Sequence, residues 1–559
     1  MARMAGPVPP AQQLRRLREI TTVLVKFGFP DVVARLNLER TVALGRRLRI
    51  GRRSEPWGTR AERLRQALEE LGPTFIKFGQ AVSTRADLLP AELVTELSRL
   101  QDEVPPLPDG VAGATVESEL GAPLANLFAR FDRVPIAAAS IAQVHRARLA
   151  SGDEVAVKVR RPDIAATIER DLAILGQLAR LAERYLPDSG LYQPSSLVSE
   201  FARSIRRELD LAQEGRTIER FARNFAGDGT VRFPRVHWDR TARGVLTLEF
   251  IDGTKILDVV KAPGVFDAAL IARRGTDLIL KQVLRHGVFH ADPHPANLFV
   301  LPGNIVCPLD FGNVGHLDRQ LREALASLVY AVVREDAERV TRAILAIGRP
   351  IQALDLAQLR RDVVDLLDGY AGTTLQALSI AALLQDALSV MHRHRLQFPV
   401  DLMLLARALV TIEGVGRQLD PSFKIVDHAR PLVRAIVRER FSPAAVASRA
   451  GEVASDLGDA LRSVPHDLVE IVAKARDDRL QIQFVHKNLE FLVQEMDRSS
   501  NRLSFAVVIA ALIVGSSLIV QRGGGPSLFG LPALGLVGFI AAGLLGLWLA
   551  IGILRSGRL

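Results

Sequence analysis

The chain has 559 residues, 48% of them hydrophobic and 24% charged, which calls for a large folded body with appendages and excludes an intrinsically disordered protein. Its net charge of +10 is not laid out as a basic stripe interleaved with aromatics, nor in helix-turn-helix or zinc-finger spacing, so nucleic acid is not an expected partner. A single cysteine, Cys307, excludes an intramolecular disulfide and a thiolate metal site, and fits a reducing compartment.

Taken in chain order, the first element is basic. Leu14, Leu17, Ile20, Val23 and Leu24 recur at helical spacing among Arg15, Arg16, Arg18 and Lys26, which predicts an amphipathic helix. Such a helix lies either on an anionic membrane surface or on the main body with its charges in solvent, and both readings stand. No apolar core followed by an Ala-x-Ala-like site appears here, so no cleavable secretion signal is expected. A segment from Pro73 to Gln80 follows, then an alanine-rich run, Ile136 to His145, containing Ala137, Ala138, Ala139 and Ser140.

The middle of the chain carries three segments in the order of a protein kinase. Val155-Ala156-Val157-Lys158-Val159 alternates like a strand and ends on a lysine suited to hold phosphates. His290-Ala291-Asp292-Pro293-His294-Pro295-Ala296-Asn297 keeps His-x-Asp with an Asn five residues after the Asp. In that pattern Asp292 faces an attacking hydroxyl and Asn297 supplies a neutral oxygen to a metal. Leu309-Asp310-Phe311-Gly312 is a DFG motif whose Asp310 is a hard ligand of the kind Mg²⁺ favours. The spacing from Asn297 to Asp310 suits a β-hairpin turning at Pro302-Gly303-Asn304. Between these segments, Glu208 and Glu214 on an apparently helical stretch are both candidates to pair with Lys158. Leu246 to Gly253 reads as a strand entering a turn, where Glu249 and Ile251 would receive adenine.

Two features depart from ordinary kinases. The alanine-rich run stands where a glycine-rich phosphate loop belongs, and alanines resist the positive φ that such a loop uses. No Ala-Pro-Glu follows the DFG motif. Helical sequence begins near Leu317, leaving no room for a peptide-docking segment.

With Lys77-Phe78-Gly79-Gln80, the alanine-rich loop, Glu208-x-Asp210 and His290 to Pro295, the chain resembles the UbiB family of atypical kinases over about residues 65–330. Ala296 departs from the glycine common in that family, while Asn297 is kept. The resemblance implies ATP and Mg²⁺ as cofactors, and Lys77 and Gln80 folded over the site to meet the Glu-x-Asp acids. It also implies an alanine-rich loop that sets nucleotide preference, and ATPase activity associated with ubiquinone biosynthesis.

The C-terminal end is charge-free from Ser504 to Val520 and from Ser527 to Leu554, each run long enough to cross about 30 Å of hydrocarbon. Arg498 and Arg502 precede the pair, Arg555 and Arg558 follow it, so both outer ends are expected in the cytoplasm.

The expected fold is α+β, a bilobal atypical-kinase-like body with an N-terminal helical extension and a C-terminal two-helix membrane hairpin. Its parts are a basic amphipathic segment (1–58), a helical extension carrying Lys-x-Gly-Gln (59–115) and a kinase-like N-lobe with inserted helices (116–252). A helical C-lobe with catalytic loop and DFG (253–437), an amphipathic linker (438–502) and a transmembrane hairpin (503–555) complete it. The expected function is an ATP-dependent atypical kinase or ATPase at the inner, cytoplasmic membrane, with membrane lipids, quinone precursors or quinone-biosynthesis enzymes as partners. Two alternatives are a small-molecule phosphotransferase and a nucleotide-switched scaffold for membrane enzymes. Oligomeric state is left open.

Overall fold

A computed structural model describes residues 10–36, 58–85, 89–100, 104–185, 193–261, 264–334, 336–351, 353–370, 380–423, 489–522, 526–528 and 531–555. They fall into two compact units, residues 1–446 and 447–559. The expected linker (438–502) and the end of the C-lobe near Val437 lie largely outside the described residues.

The larger unit opens with helices α1 (Pro10–Lys26) and α2 (Pro30–Arg35), then α3 (Arg60–Leu71), α4 (Pro73–Ser83), α5 (Ala91–Leu97) and α6 (Val111–Leu120). Thr59 starts α3 with a capping box, its hydroxyl accepting from the Glu62 amide while Glu62 reaches back to the Thr59 amide. The apolar stripe of α1 settles one open question. Leu17, Ile20 and Val23 are buried in a core shared with Leu68, Phe75, Ile168 and Phe201, so this face is covered by the body. Arg16 anchors the helix through the buried Asp171, with its Nε 2.9 Å from Oδ1.

The N-lobe sheet follows: β1 (Arg130–Phe131), β2 (Ala137–Ala138), β3 (Ala142–Arg148) and β4 (Glu154–Arg160), closed by β5 (Val245–Glu249) in the order β1-β3-β4-β5 with β2 on β3. Period-two alternation sends Val155, Val157 and Val159 to a fully buried face against Val116 of α6. The opposite face of β4 is left to Lys158. Helices α7 (Ile164–Tyr185), α8 (Pro194–Glu208) and α9 (Leu211–Asn224) lie between β4 and β5. The stretch holding Glu208 and Glu214 is thus two helices, broken at Leu209-Asp210.

In the C-lobe, α10 (Ala268–Lys281) precedes β6 (Val288–His290), β7 (Leu298–Leu301), β8 (Ile305–Pro308) and β9 (Val314–His316). Strands β7 and β8 form the expected hairpin, turning through Gly303 and Asn304 at φ +80° and +60°. Strand β9 pairs with β6, setting Val314 opposite His290. Helices α11 (Arg319–Val333), α12 (Ala337–Ile347), α13 (Leu356–Tyr370), α14 (Ile380–Arg393) and α15 (Val400–Leu419) build the rest around one large apolar core.

The second unit is an antiparallel pair, α16 (Leu489–Arg522) and α17 (Ala533–Arg555). Residues Ser500–Arg522 and Ala533–Ala550, with mean hydropathies of 2.6 and 2.2, are long and apolar enough to cross a membrane. Their contact uses small residues. A Cβ on Gly535 would fall 2.6 Å from Val520 Cγ2 and 3.2 Å from the Ser516 carbonyl, so glycine there favours this close approach. Leu503, Val507, Leu544 and Trp548 are left exposed on the outer faces.

Candidate functional site

Lys158 reaches from β4 to Glu214 on α9, its Nζ donating to both carboxylate oxygens at 2.9 Å. Glu214 stands inside an apolar stripe at three-to-four spacing with Leu211, Ile218 and Phe221, which buries its carboxylate. Burial pushes the Glu214 carboxyl up, and the Lys158 charge opposes that push. For Lys158, burial works against the ammonium, but Asp310 and Glu214 outweigh it and keep its pKa above the ordinary lysine value.

Asp310 completes the cluster, its Oδ1 3.6 Å from Lys158 Nζ and accepting from the Gly312 amide at 3.0 Å. The Lys158 charge, opposed by burial and aided by that amide, holds the Asp310 carboxyl well below the usual carboxylate range. Phe311, 2% exposed, fixes this orientation by packing 5.2 Å from Phe221 of α9 and 5.5 Å from His290. The DFG phenylalanine therefore ties the Asp310 backbone to the helix that carries Glu214.

The catalytic loop faces the same cavity. His290 is buried, which lowers its pKa and keeps it neutral, and its Nδ1 accepts the Asp292 amide at 3.1 Å. Asn297 is pinned at its carbonyl by the Leu309 amide, 3.0 Å away, which links the loop to the strand leading into Asp310. The cavity, about 490 Å³, is lined by Lys158, Asp292, Asn297 and Asp310, and walled by Lys77 and Glu208. Lys77 on α4 bridges to Glu208 at the end of α8 with 2.8 Å between Nζ and Oε1. Of the two candidate acids, Glu214 therefore takes the strand lysine and Glu208 takes the Lys77 segment.

Other expected residues divide. Ala138 and Ala139 line the cavity, and the Arg161 guanidinium holds the Ala139 carbonyl at 2.9 Å. Among the described residues, positive φ outside glycine occurs only at Asp163, Gln193, Asn304 and Arg395, so the alanine-rich loop stays in ordinary backbone. Ser140 is fully buried behind it, and Ala137 pairs with Val144 without lining the cavity. Gln80 lines the cavity but donates to the Leu100 carbonyl at 3.0 Å instead of meeting an acid, while Asp210 faces Arg243 at 3.4 Å. Glu249 and Ile251 are not among the lining residues. Glu249 pairs with Arg232, and Ile251 is buried with Leu301 and Cys307. Glu249 sits opposite Val155 on the face of the sheet away from Lys158, and Ile251 turns into its own small core.

Sequence reasoning missed Arg407. It projects from α15 to within 3.6 Å of Asp292 Oδ2, and no local motif marks it so far downstream. Glu214 had a signal available in its 3-4 register with Leu211, Ile218 and Phe221.

Comparison with known families places this geometry. Residues 99–344 match the ABC1 atypical kinase-like domain, 363–424 the UbiB helical domain and 487–555 the ABC1/UbiB kinase-like C-terminal domain. A Clostridium pasteurianum protein, named as an uncharacterized protein in the hydrogenase 1 5′ region, is 33% identical over 552 residues, 97% of this chain and 99% of its own. The chain belongs to the UbiB/ABC1 family of atypical kinase-like proteins. Another relative of this UbiB chain, uncharacterized protein sll1770 of Synechocystis, is 34% identical over 82% of the chain and 79% of its own length. Among solved structures, the Rv3197–erythromycin complex from Mycobacterium tuberculosis aligns with 21% identity and a TM-score of 0.47, over 69% of this chain and 96% of that one. Arg407 falls in the stretch matched to the UbiB helical domain, and Lys77 precedes the stretch matched to the kinase-like domain.

Proposed function

We propose that this UbiB-family chain binds Mg-ATP in the cavity and hydrolyses it at the cytoplasmic face of the inner membrane, in support of isoprenoid-lipid or quinone metabolism. The observation that carries the reading is the gathering of Lys158, Asp310, Asn297 and Asp292 on one cavity, with Glu214 behind it holding Lys158. Lys158, fixed by Glu214, presents a cation to the α and β phosphates. Asp310, kept ionised, and Asn297, held by Leu309, are a fitting pair of oxygen ligands for Mg²⁺, which takes one or two protein ligands and completes its shell with phosphate and water. Bound there, the metal would neutralise phosphate charge. Asp292 orients the attacking water or hydroxyl and takes its proton. The Lys77–Glu208 bridge and the direct passage from Gly312 through β9 into α11 leave little place for a protein substrate, which supports ATP hydrolysis or a lipid-directed role. The two apolar helices support a membrane setting.

The test is Mg-ATP turnover by the purified full-length protein in vesicles of anionic or neutral lipid. Asp292→Asn should lower turnover by about 10²–10⁴-fold with nucleotide binding kept, and Asp310→Asn should lose both. Turnover that survives Asp310→Asn would sink the assignment. Binding without turnover in the native protein would favour a nucleotide-switched scaffold.

A further inference from the structure

A second concavity, about 410 Å³, lies beside the nucleotide cavity and shares Glu208 and Gly312 with it. Arg207 enters it from the last turn of α8, Arg216 and Arg220 from α9, and His316 from β9. Its acids are already engaged, Glu208 by Lys77 and Glu214 by Lys158. The neighbouring Asp401 accepts the His316 backbone amide at 2.8 Å. Among the described residues, none of the three arginines has a carboxylate within ion-pairing distance. In the same unit Arg16, Arg65, Arg160, Arg206 and Arg232 each have one.

This arrangement works against the fold. Arg216 and Arg220 stand four apart on one helix face, where like charges repel. Partial covering of the His316 ring disfavours its imidazolium, the Asp401 charge opposes this, and the Arg220 and Arg207 charges add to it. Convergent, unpaired guanidinium groups around a concavity are complementary to a multivalent oxyanion, which they can grip in forked fashion.

The position explains what such a ligand would do. In many protein kinases a phosphate on the activation segment pairs with arginines and orders the site. Here β9 leads from the DFG motif directly to Asp318, the cap of α11, so no segment of this kind is available to bring a phosphate. We propose that Arg207, Arg216 and Arg220 form a binding site for a phosphate group supplied by a separate molecule, either free phosphate or a phospholipid headgroup. A phosphate there would tie the end of α8 to α9 and β9, and so hold Glu214 on Lys158. The site itself does not depend on the proposed ATPase reading.

The experiment uses the full-length protein in detergent micelles. Inorganic phosphate replaces chloride at constant ionic strength, without nucleotide, and Tm is followed. A second arm uses phosphatidylcholine vesicles with and without phosphatidic acid. Both arms compare the native protein with Arg216→Gln/Arg220→Gln. In the absence of phosphate the double variant should melt at or above the native Tm, because a like-charge pair is gone. Should it melt lower, Arg207→Gln serves in its place. The expected result is a Tm rise whose apparent phosphate affinity weakens about tenfold or more in the variant. A response to free phosphate identifies a soluble ligand. An arginine-dependent response to phosphatidic acid alone identifies a headgroup. A rise that survives unchanged in the variants reports phosphate held by Lys158 in the first cavity and overturns the proposal, as does no response in either arm.

Discussion

At the residue scale the site is governed by one half-buried cation between two acids, of which Glu214 is buried and Asp310 is partly exposed. Lys158 neutralises Glu214 within an apolar stripe and faces Asp310, so removing it leaves two carboxylates close together. Breaking a buried pair from one side costs about 3–5 kcal/mol, because the remaining charge stays desolvated. We expect Lys158→Met to lower stability by about that amount near neutral pH, seen as a fall in denaturation midpoint. Glu214 already has a raised pKa, and losing Lys158 would raise it further. A carboxyl whose folded pKa exceeds its unfolded one favours folding below the unfolded value and loses that contribution as pH rises through the folded value. The Lys158→Met deficit should therefore shrink as pH is lowered, and Lys158→Met/Glu214→Leu should recover most of it at neutral pH. A deficit independent of pH, with no recovery in the double variant, would mean that the pair is not the source. Contiguous motifs made Lys158, Asp292, Asn297 and Asp310 legible in the sequence. The choice between Glu208 and Glu214 was only half legible, since the apolar register around Glu214 marked it as the inward acid but the helix break at Leu209-Asp210 did not show in the motifs. Arg407 was invisible because only tertiary packing brings α15 to the catalytic loop.

At the element scale, α4 shows how a motif residue serves packing. Gly79, between Lys77 and Gln80, lies where a Cβ would come 2.4 Å from Leu100 Cδ1 and 2.9 Å from Leu68 Cδ1. A side chain at this point pushes α4 away from α3 and α5, and Lys77 moves with it. Gly79→Val should cost about 1–3 kcal/mol through overpacking. It should also speed hydrogen exchange in α4 and at the end of α8, where Glu208 loses its partner. Unchanged exchange in α8 would show that the Lys77–Glu208 bridge does not depend on the seating of α4. Elements of clear period were the legible ones, including the valines of β4 and the β7–β8 hairpin turning at Gly303-Asn304. The first helix was half legible. Its amphipathic face followed from spacing, but amphipathicity does not say what covers the face, and here Phe75 and Ile168 share the core with Leu17 and Ile20.

At the scale of the whole molecule, the open question is whether the C-terminal pair spans the bilayer as a hairpin. Basic residues at Arg498, Arg502 and Arg555 flank it, and Arg522 stands near the turn. If the pair spans, the positive-inside rule predicts both outer ends on the cytoplasmic side and the connection on the other. The chain's single cysteine makes this measurable without first removing a background. Cys307 is fully buried, and burial pushes its thiol up to about 12, so it is neither accessible nor nucleophilic near neutral pH. Gly524→Cys places a thiol between the two helices in the sequence, and Ser556→Cys places one directly after the second. An impermeant maleimide should label Gly524→Cys in right-side-out vesicles and Ser556→Cys only in inverted ones, with the native chain silent in both. Labelling of both from the same side would mean that the pair lies on the membrane or against protein. The proposed lipid-directed role would then need another means of bringing the kinase-like body to lipid.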